Sequence, residues 1–339
     1  MKKILIAFDG SPGAEEALLD LVRGGFPERC EAKVLTVADV WLPPDPEVSP
    51  PLFTESAKVS RVQARQHALD ALAAARETSI RGAERLRGLF PHWTIHHSSH
   101  ADSPAWGMLA EARRWGANLI VIGSHGRSPL QKFFLGSVSY KVAAEAPCSV
   151  RIFRAHHRTR DNGLRVIIAV DGSEDSDAAF EEALHREWPQ GTEFQLVTVI
   201  DARLKATAIM DAGILPPHDV REGAEDWVPT MLAHRAQQLQ GRQFRVSSHI
   251  LEGDPKPALL HHAQEWNADC IFMGARGLQH GSRLYLGTVG SAIITRAHCT
   301  VEIVRPAKVR ADSATIVKRA GVIPAQDSEK LMDGRKQSF

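Results

Sequence analysis

The chain has 339 residues, enough for two cores of ordinary domain size. Its composition, 43% hydrophobic and 24% charged, is that of a globular protein, and a formal net charge of +1 gives no global field for gripping nucleic acid or an anionic membrane. Four scattered cysteines (Cys30, Cys148, Cys270 and Cys299), with no Cys-x-x-Cys pair, exclude a disulfide framework and a zinc ribbon.

The chain opens on Lys2-Lys3 and an apolar run, Ile4 to Phe8, that ends at Asp9. That run is too short for the hydrophobic region of a signal peptide. It also returns in mid-chain, from Arg165 to Asp171, which marks it as a strand. No stretch approaches the ~20 apolar residues of a membrane span, so a soluble, cytoplasmic protein without membrane contact is expected. In the first half, strands are expected at 3–8, 32–37, 94–98, 118–122 and 149–153, with helices at 13–23, 57–88, 103–115 and 137–145. In the second, strands are expected at 165–170, 193–199, 244–250, 269–273 and 300–304. Continuous apolar strands such as Leu119-Ile120-Val121-Ile122 belong to a parallel sheet covered on both faces. The expected fold class is α/β, two tandem doubly wound five-stranded parallel sheets of Rossmann-like type.

The alternation is a repeat. Ile-Ala-Phe-Asp-Gly-Ser at 6–11 recurs as Ile-Ala-Val-Asp-Gly-Ser at 168–173, offset by 162. The block 123–154 recurs at 274–305, offset by 151, with 10 identities in 32 positions. Domain one is expected at 1–155, a polar linker at 156–163, domain two at 164–306, and a disordered tail at 307–339.

Ligands of such sheets sit outside the carboxyl ends of the strands, where strand order reverses. After strand four of each half the same spacing appears. It reads Gly123, Gly126, then Gly136-Ser137, and again Gly274, Gly277, then Gly287-Thr288. Glycines expose backbone N–H groups, and a helix start adds unpaired donors and the positive end of its dipole. Together these suit a polyphosphate. The plainer alternative is that the glycines only permit turns and that Ser137 and Thr288 cap helices. Lys132 and Arg283 match across the repeat and are either phosphate neutralisers or solvated loop charges. His92, His96, His97 and His100 sit on and around one strand with alternating faces, which argues against a metal site. Cys148 and Cys299 match at the start of strand five and read as buried thiols. No P-loop, Gly-x-Gly-x-x-Gly or Gly-x-Ser-x-Gly motif occurs.

The run Gly-Ser-His-Gly-Arg-Ser at 123–128, the Asp-Gly-Ser after strand one, and the doubled Gly-x2-Gly-x9-Gly-Ser/Thr spacing resemble a tandem universal stress protein of the ATP-binding type. The resemblance implies the adenine nucleotide alpha hydrolase-like variant of the fold, with ATP, alone or with magnesium, at the strand ends. By matching position, Asp9 and Asp171 would meet the base or ribose, and Val37 and Val199 would wall the adenine. Gly123, Gly126, Arg127, Gly136, Ser137, Val138 and Ser139 would line the nucleotide in half one. Gly274, Gly277, Gly287, Thr288 and Val289 would do so in half two. Asp9 and Asp171 also read as caps of the first helix. The second hydroxyl of Gly136-Ser137-Val138-Ser139 is missing in Gly287-Thr288-Val289-Gly290, so half one is expected to be the better site.

The implied function is an ATP-binding stress-response or regulatory protein, not a dedicated enzyme. The alternatives are a slow ATPase, an adenylyl-transferring enzyme, or a nucleotide-free dimerisation module. The family arrangement also places strands 149–153 and 300–304 at sheet edges, where the halves are expected to pair as a pseudo-dimer with Arg151 opposite Glu302. A homodimer of whole chains could then follow.

Overall fold

The computed structural model describes residues 1–44, 55–124, 135–155, 163–201, 220–277 and 286–306. Residues 156–162 of the expected linker, the tail 307–339, and Gly126, Arg127, Lys132 and Arg283 lie outside them. Half one runs β1 (Lys3–Ala7), α1 (Pro12–Arg23), β2 (Glu31–Ala38), α2 (Glu55–Leu89), β3 (Thr94–Ala101), α3 (Pro104–Trp115), β4 (Leu119–Gly123), α4 (Ser137–Glu145) and β5 (Ser149–Phe153). Half two runs β6 (Arg165–Ala169), α5 (Glu174–Leu184), β7 (Glu193–Ile200), α6 (Val220–Gln240), β8 (Arg245–Glu252), α7 (Pro255–Glu265), β9 (Cys270–Gly274), α8 (Thr288–Arg296) and β10 (Thr300–Val304).

Each half forms a parallel sheet of the expected kind, but the two do not stay separate. They join in one ten-stranded sheet of order β3-β2-β1-β4-β5-β10-β9-β6-β7-β8. The joint is the antiparallel pair β5–β10, with Glu302 opposite Arg151 as the repeat positions imply. An apolar edge strand exposes unpaired N–H and C=O groups, and pairing two such edges satisfies both. β3 runs three residues beyond its expected end, because β2 holds it in register as far as Ala38 and Ala101.

The two faces of the sheet are packed differently. On the face covered by α3, α4, α7 and α8, one apolar core runs across both halves, from Leu5, Ile120 and Ile152 to Val301, Ile271 and Ile167. On the other face the core is split. Ile4, Ile6, Leu18 and Leu86 pack under α1 and α2, and Ile168, Phe180, Phe194 and Phe272 pack under α5 and α6. Alternation along β5 explains this: Val150 and Ile152 face the continuous core, and Arg151 points to the gap between the split ones.

Candidate nucleotide crevices

β1 lies between β2 and β4, and β6 between β7 and β9, so strand order reverses beside each first strand. The crevice beyond their carboxyl ends is the switch point where open α/β sheets bind ligands. The backbone there is locked in the same way in both halves. Phe8 N donates to Leu35 O and Val170 N to Val197 O, each at 2.9 Å. Thr36 Oγ1 donates to Phe8 O at 2.6 Å and Thr198 Oγ1 to Val170 O at 2.7 Å, both hydroxyls buried. These threonines fix the peptide before Asp9 and Asp171. Sequence reasoning passed over them, although the repeated Thr-Val of β2 and β7 was there to be matched.

Asp9 and Asp171 do not cap the first helices. Ser11 and Ser173 do, with their Oγ atoms accepting from Ala14 N and Ser176 N, each at 3.2 Å. Each aspartate instead accepts from the backbone N–H of that capping serine at 3.0 Å, around a glycine (Gly10 or Gly172) of positive φ. This is a local Asx turn. In half two the Ser173 hydroxyl also donates to Asp171 Oδ1 at 2.6 Å. Each aspartate is half-buried, with a carboxylate oxygen taken up in its Asx turn.

The strand-four loops return to the same place. Gly136 N donates to Ser124 O at 2.9 Å, and Gly287 N to Ala275 O at 2.8 Å. α4 and α8 begin at Ser137 and Thr288, with Gly136 and Gly287 as N-caps that offer no side-chain hydrogen bond. Ser137 and Thr288 are therefore exposed first-turn residues, not caps. Amides of such a first turn lack intrahelical acceptors and favour an anion. Val138 and Val289 turn inward onto the continuous core. Val37, beside the half-one crevice, is pressed by α3, where a Cβ on Gly107 would stand 3.0 Å from Val37 Cγ1.

The two crevices differ in detail. Gly274 is a packing glycine, since a Cβ there would stand 2.6 Å from the backbone carbon of Asp175. Asp175 takes the Arg276 guanidinium at 2.7 and 3.1 Å and its backbone N–H at 3.1 Å, clasping the loop to α5. Half one has Gly13 at the repeat position of Asp175. Gly277 lies against the strand-one carboxylate, and a Cβ on it would come within 2.6 Å of Asp171 Oδ2. In half one, Ser139 is buried and donates to Gly123 O at 2.8 Å. In half two Gly290 stands in its place, and the Leu286 side chain fills the space a Cβ would take.

The fold has known relatives. The model of the universal stress protein family matches residues 1–154 and again 164–305. The chain belongs to the universal stress protein family. A universal stress protein of Mycolicibacterium smegmatis is 27% identical over 194 residues, which span 56% of this chain and 62% of that protein. One from Bacillus subtilis is 23% identical over 145 residues, covering 42% of this chain and 98% of the relative. Among solved structures, a universal stress protein from Archaeoglobus fulgidus shares the fold with a TM-score of 0.53 at 20% identity. It covers 89% of this chain and 96% of its own. A functionally unknown protein from Pseudomonas aeruginosa does so with a TM-score of 0.58 at 15% identity over 94% of this chain and 98% of its own. Tandem universal stress domains joined in one sheet are thus the architecture of this molecule.

Proposed function

We propose that the chain is an ATP-binding regulatory protein of the stress response, cytoplasmic, and without appreciable turnover of its own. The observation that carries this is the convergence, in both halves, of a strand-one aspartate and a strand-four glycine loop that ends on an uncapped helix start. Backbone amides at Gly136-Ser137-Val138 and Gly287-Thr288-Val289 would hold phosphate oxygens. Asp9 and Asp171 would take the ribose or base, and Val37 and Val199 the adenine face. The donor set of glycines, hydroxyls and first-turn amides suits an anion. Charge-assisted bonds of this kind contribute about 1.5–3 kcal/mol each, and a few of them with adenine burial reach micromolar affinity, about −8 kcal/mol. Magnesium, if bound, would ride on the phosphates; among the described residues no three His, Cys, Asp or Glu side chains are grouped to hold a metal.

Phosphoryl transfer at useful rates needs a group that positions the attacking water and a metal held by the protein. Asp9 and Asp171, each tied through a carboxylate oxygen into a local Asx turn, would serve the ribose or base and neither of these tasks. The experiment combines Gly126→Val with Gly277→Val in the full chain. Calorimetry should show ATP binding in the parent and its loss in the variant, with far-UV circular dichroism unchanged. Hydrolysis by the parent should stay well below the usual enzymatic range of roughly 1–10³ per second. Binding that survives both substitutions, or fast hydrolysis that disappears with them, overturns the reading.

A further inference from the structure

At the seam, β5 and β10 meet with Val301 opposite Ile152, Glu302 opposite Arg151 and Ile303 opposite Val150. Arg151 and Glu302 are also the same position of the repeat, 151 residues apart, so the local two-fold axis passes between them. Other seam contacts obey that axis. Arg154 donates to the Ile294, Thr295 and Ala297 carbonyls at the end of α8. Its repeat partner Arg305 donates to the Ala143 and Ala144 carbonyls at the end of α4 and to that of Cys148 just before β5. Cations at helix carboxyl ends satisfy free carbonyls and complement the dipole. A seam built this way is self-complementary and would serve two copies of half one as well as it serves the pair present.

A set of charges, with Lys2 and Glu182 half-buried and the other four buried, breaks that equivalence. Half one brings Lys2, Asp20 and Arg151, and half two brings Glu182, Arg186 and Glu302. Arg151 binds Asp20 at 2.7 and 3.0 Å and Glu302 at 3.0 Å. Arg186 binds Glu302 and, at 3.1 and 3.2 Å, Glu182, whose other partner is Lys2. Arg151 is 1% exposed and Glu302 0%. Asp20 and Glu182 are one repeat position, 162 apart, whereas Arg186 replaces Gly24 and takes the carbonyl of that same glycine at 2.8 Å. Its guanidinium lies 4.2 Å from the Phe26 ring centroid and 4.9 Å from that of Phe272, a position that seals it from water.

With unlike halves the site holds Lys2, Arg151 and Arg186 against Asp20, Glu182 and Glu302, and the charges cancel. Two copies of half one would bring each of their three groups twice, four cations to two carboxylates. Two copies of half two would reverse that imbalance. An uncompensated buried charge is strongly destabilising, whereas a balanced pair against an apolar substitute is near neutral. We propose that the seam is charge-coded for unlike halves, so that half one selects half two and rejects a copy of itself. The network thereby closes the sheet within one chain.

Two full-length variants test this. Glu302→Arg sets like cations across the axis, and Arg151→Glu sets like carboxylates there. Each alone should lower the thermal midpoint by roughly ten degrees. Mixed and annealed near that midpoint, the two should exchange halves, because each half of one chain then meets a complement on the other. Light scattering should report a doubled mass, with a midpoint restored most of the way to the parent's. A mixture that stays single-chain at the lowered midpoint, or a reversal as stable as the parent, overturns the proposal. If a reversal does not fold, Arg151→Gln combined with Glu302→Gln serves instead. After protease cleavage engineered within 156–162, native mass spectrometry should find only unlike pairs in the parent and reassorted like pairs in the neutral variant. Like pairs in the parent, or none in the neutral variant, also overturn it.

Discussion

Lys33 and Glu111 in half one, and Gln195 and His262 in half two, occupy the same two repeat positions and make the same contact with different chemistry. Lys33 Nζ reaches Glu111 Oε1 at 2.8 Å, and Arg114 reaches Oε2 at 2.7 and 2.9 Å. In half two the bond is His262 Nε2 to Gln195 Oε1 at 2.7 Å, with the His249 ring tilted against that of His262 at a centroid distance of 4.9 Å. The crevices follow the same rule: a serine brace in one half is a glycine with a leucine filling in the other, and a Gly13 is an Asp175. The repeat keeps backbone geometry and lets polar chemistry vary wherever local partners balance it. At the seam that freedom is lost, because each half's charges are balanced only by the other's.

Acid should separate these two contacts most clearly. Burial alone would push Glu111 up, but hydrogen bonds from His100, Lys33 and Arg114 outweigh it and hold the carboxyl at about 2, below its ordinary 4.5. A carboxyl depressed in the folded state stabilises the fold above its unfolded value, and that contribution is lost as pH falls from 4.5 towards 2. The amount is up to about 3 kcal/mol. In half two, burial, helped by His249, lowers His262 below its ordinary 6.5. The unfolded chain then takes a proton that the folded one refuses, so stability falls as pH drops through 6.5. Thermal midpoints measured against pH should fall gently below 6.5 and steeply below 4.5. The first step should vanish in His262→Gln and the second shrink in Glu111→Gln. A Glu111→Gln variant with the parent's acid limb would remove the distinction between the two contacts.

The Arg276–Asp175 clasp makes a second, smaller difference. Gly274→Ala would drive a Cβ into the backbone of α5 at 2.6 Å, and buried overpacking costs about 1–3 kcal/mol. At Gly287 a Cβ would find its nearest neighbour at an ordinary 3.4 Å, with an unstrained φ of −65. Gly287→Ala should therefore cost no more than the loss of a glycine N-cap, below about 1 kcal/mol. Chemical denaturation of both variants checks the contrast. Equal losses would mean that Gly274 is not the packing glycine of this loop.

Much of this was legible in the sequence, and the reasons differ by element. Strand positions came from apolar runs and the repeat, so Leu119–Gly123 and Ser149–Phe153 fell within a residue of expectation. The seam register was legible because Arg151 and Glu302 share a repeat position. The rest of the network was not. Asp20, Arg186 and Lys2 come from α1, the end of α5 and the chain start, and side-chain partners more than a hundred residues apart leave no periodic signal. In the crevices, the glycine spacing located the loops and helix starts. It did not tell a glycine kept for packing, such as Gly274, from one that lets backbone approach a ligand. Ser139 is the sharper lesson. Its hydroxyl, expected to meet phosphate, is buried and spends its proton on Gly123 O.

That bond changes what the inequality between the two sites should be. Were Ser139 a direct donor to a charged phosphate, its absence at Gly290 would cost about 1.5–3 kcal/mol, roughly tenfold to a hundredfold in affinity. As a neutral brace between α4 and the end of β4, it contributes about 0.5–1.5 kcal/mol, part of it to stability and only part to binding. Half one should then bind ATP more tightly than half two by no more than about tenfold. The full chain reports each site alone when the other is disabled, by Gly277→Val for half one and by Gly126→Val for half two. In the first background, Ser139→Ala should weaken ATP only a few-fold while lowering the thermal midpoint, since it leaves a strand-end carbonyl without its donor. In the second, Gly290→Ser should displace the Leu286 tip, a flexible neighbour 2.7 Å from a Cβ, without restoring tight binding. A hundredfold loss in Ser139→Ala at an unchanged midpoint would return the hydroxyl to the phosphate. Equal affinities in the two parent backgrounds would mean that neither role separates the sites.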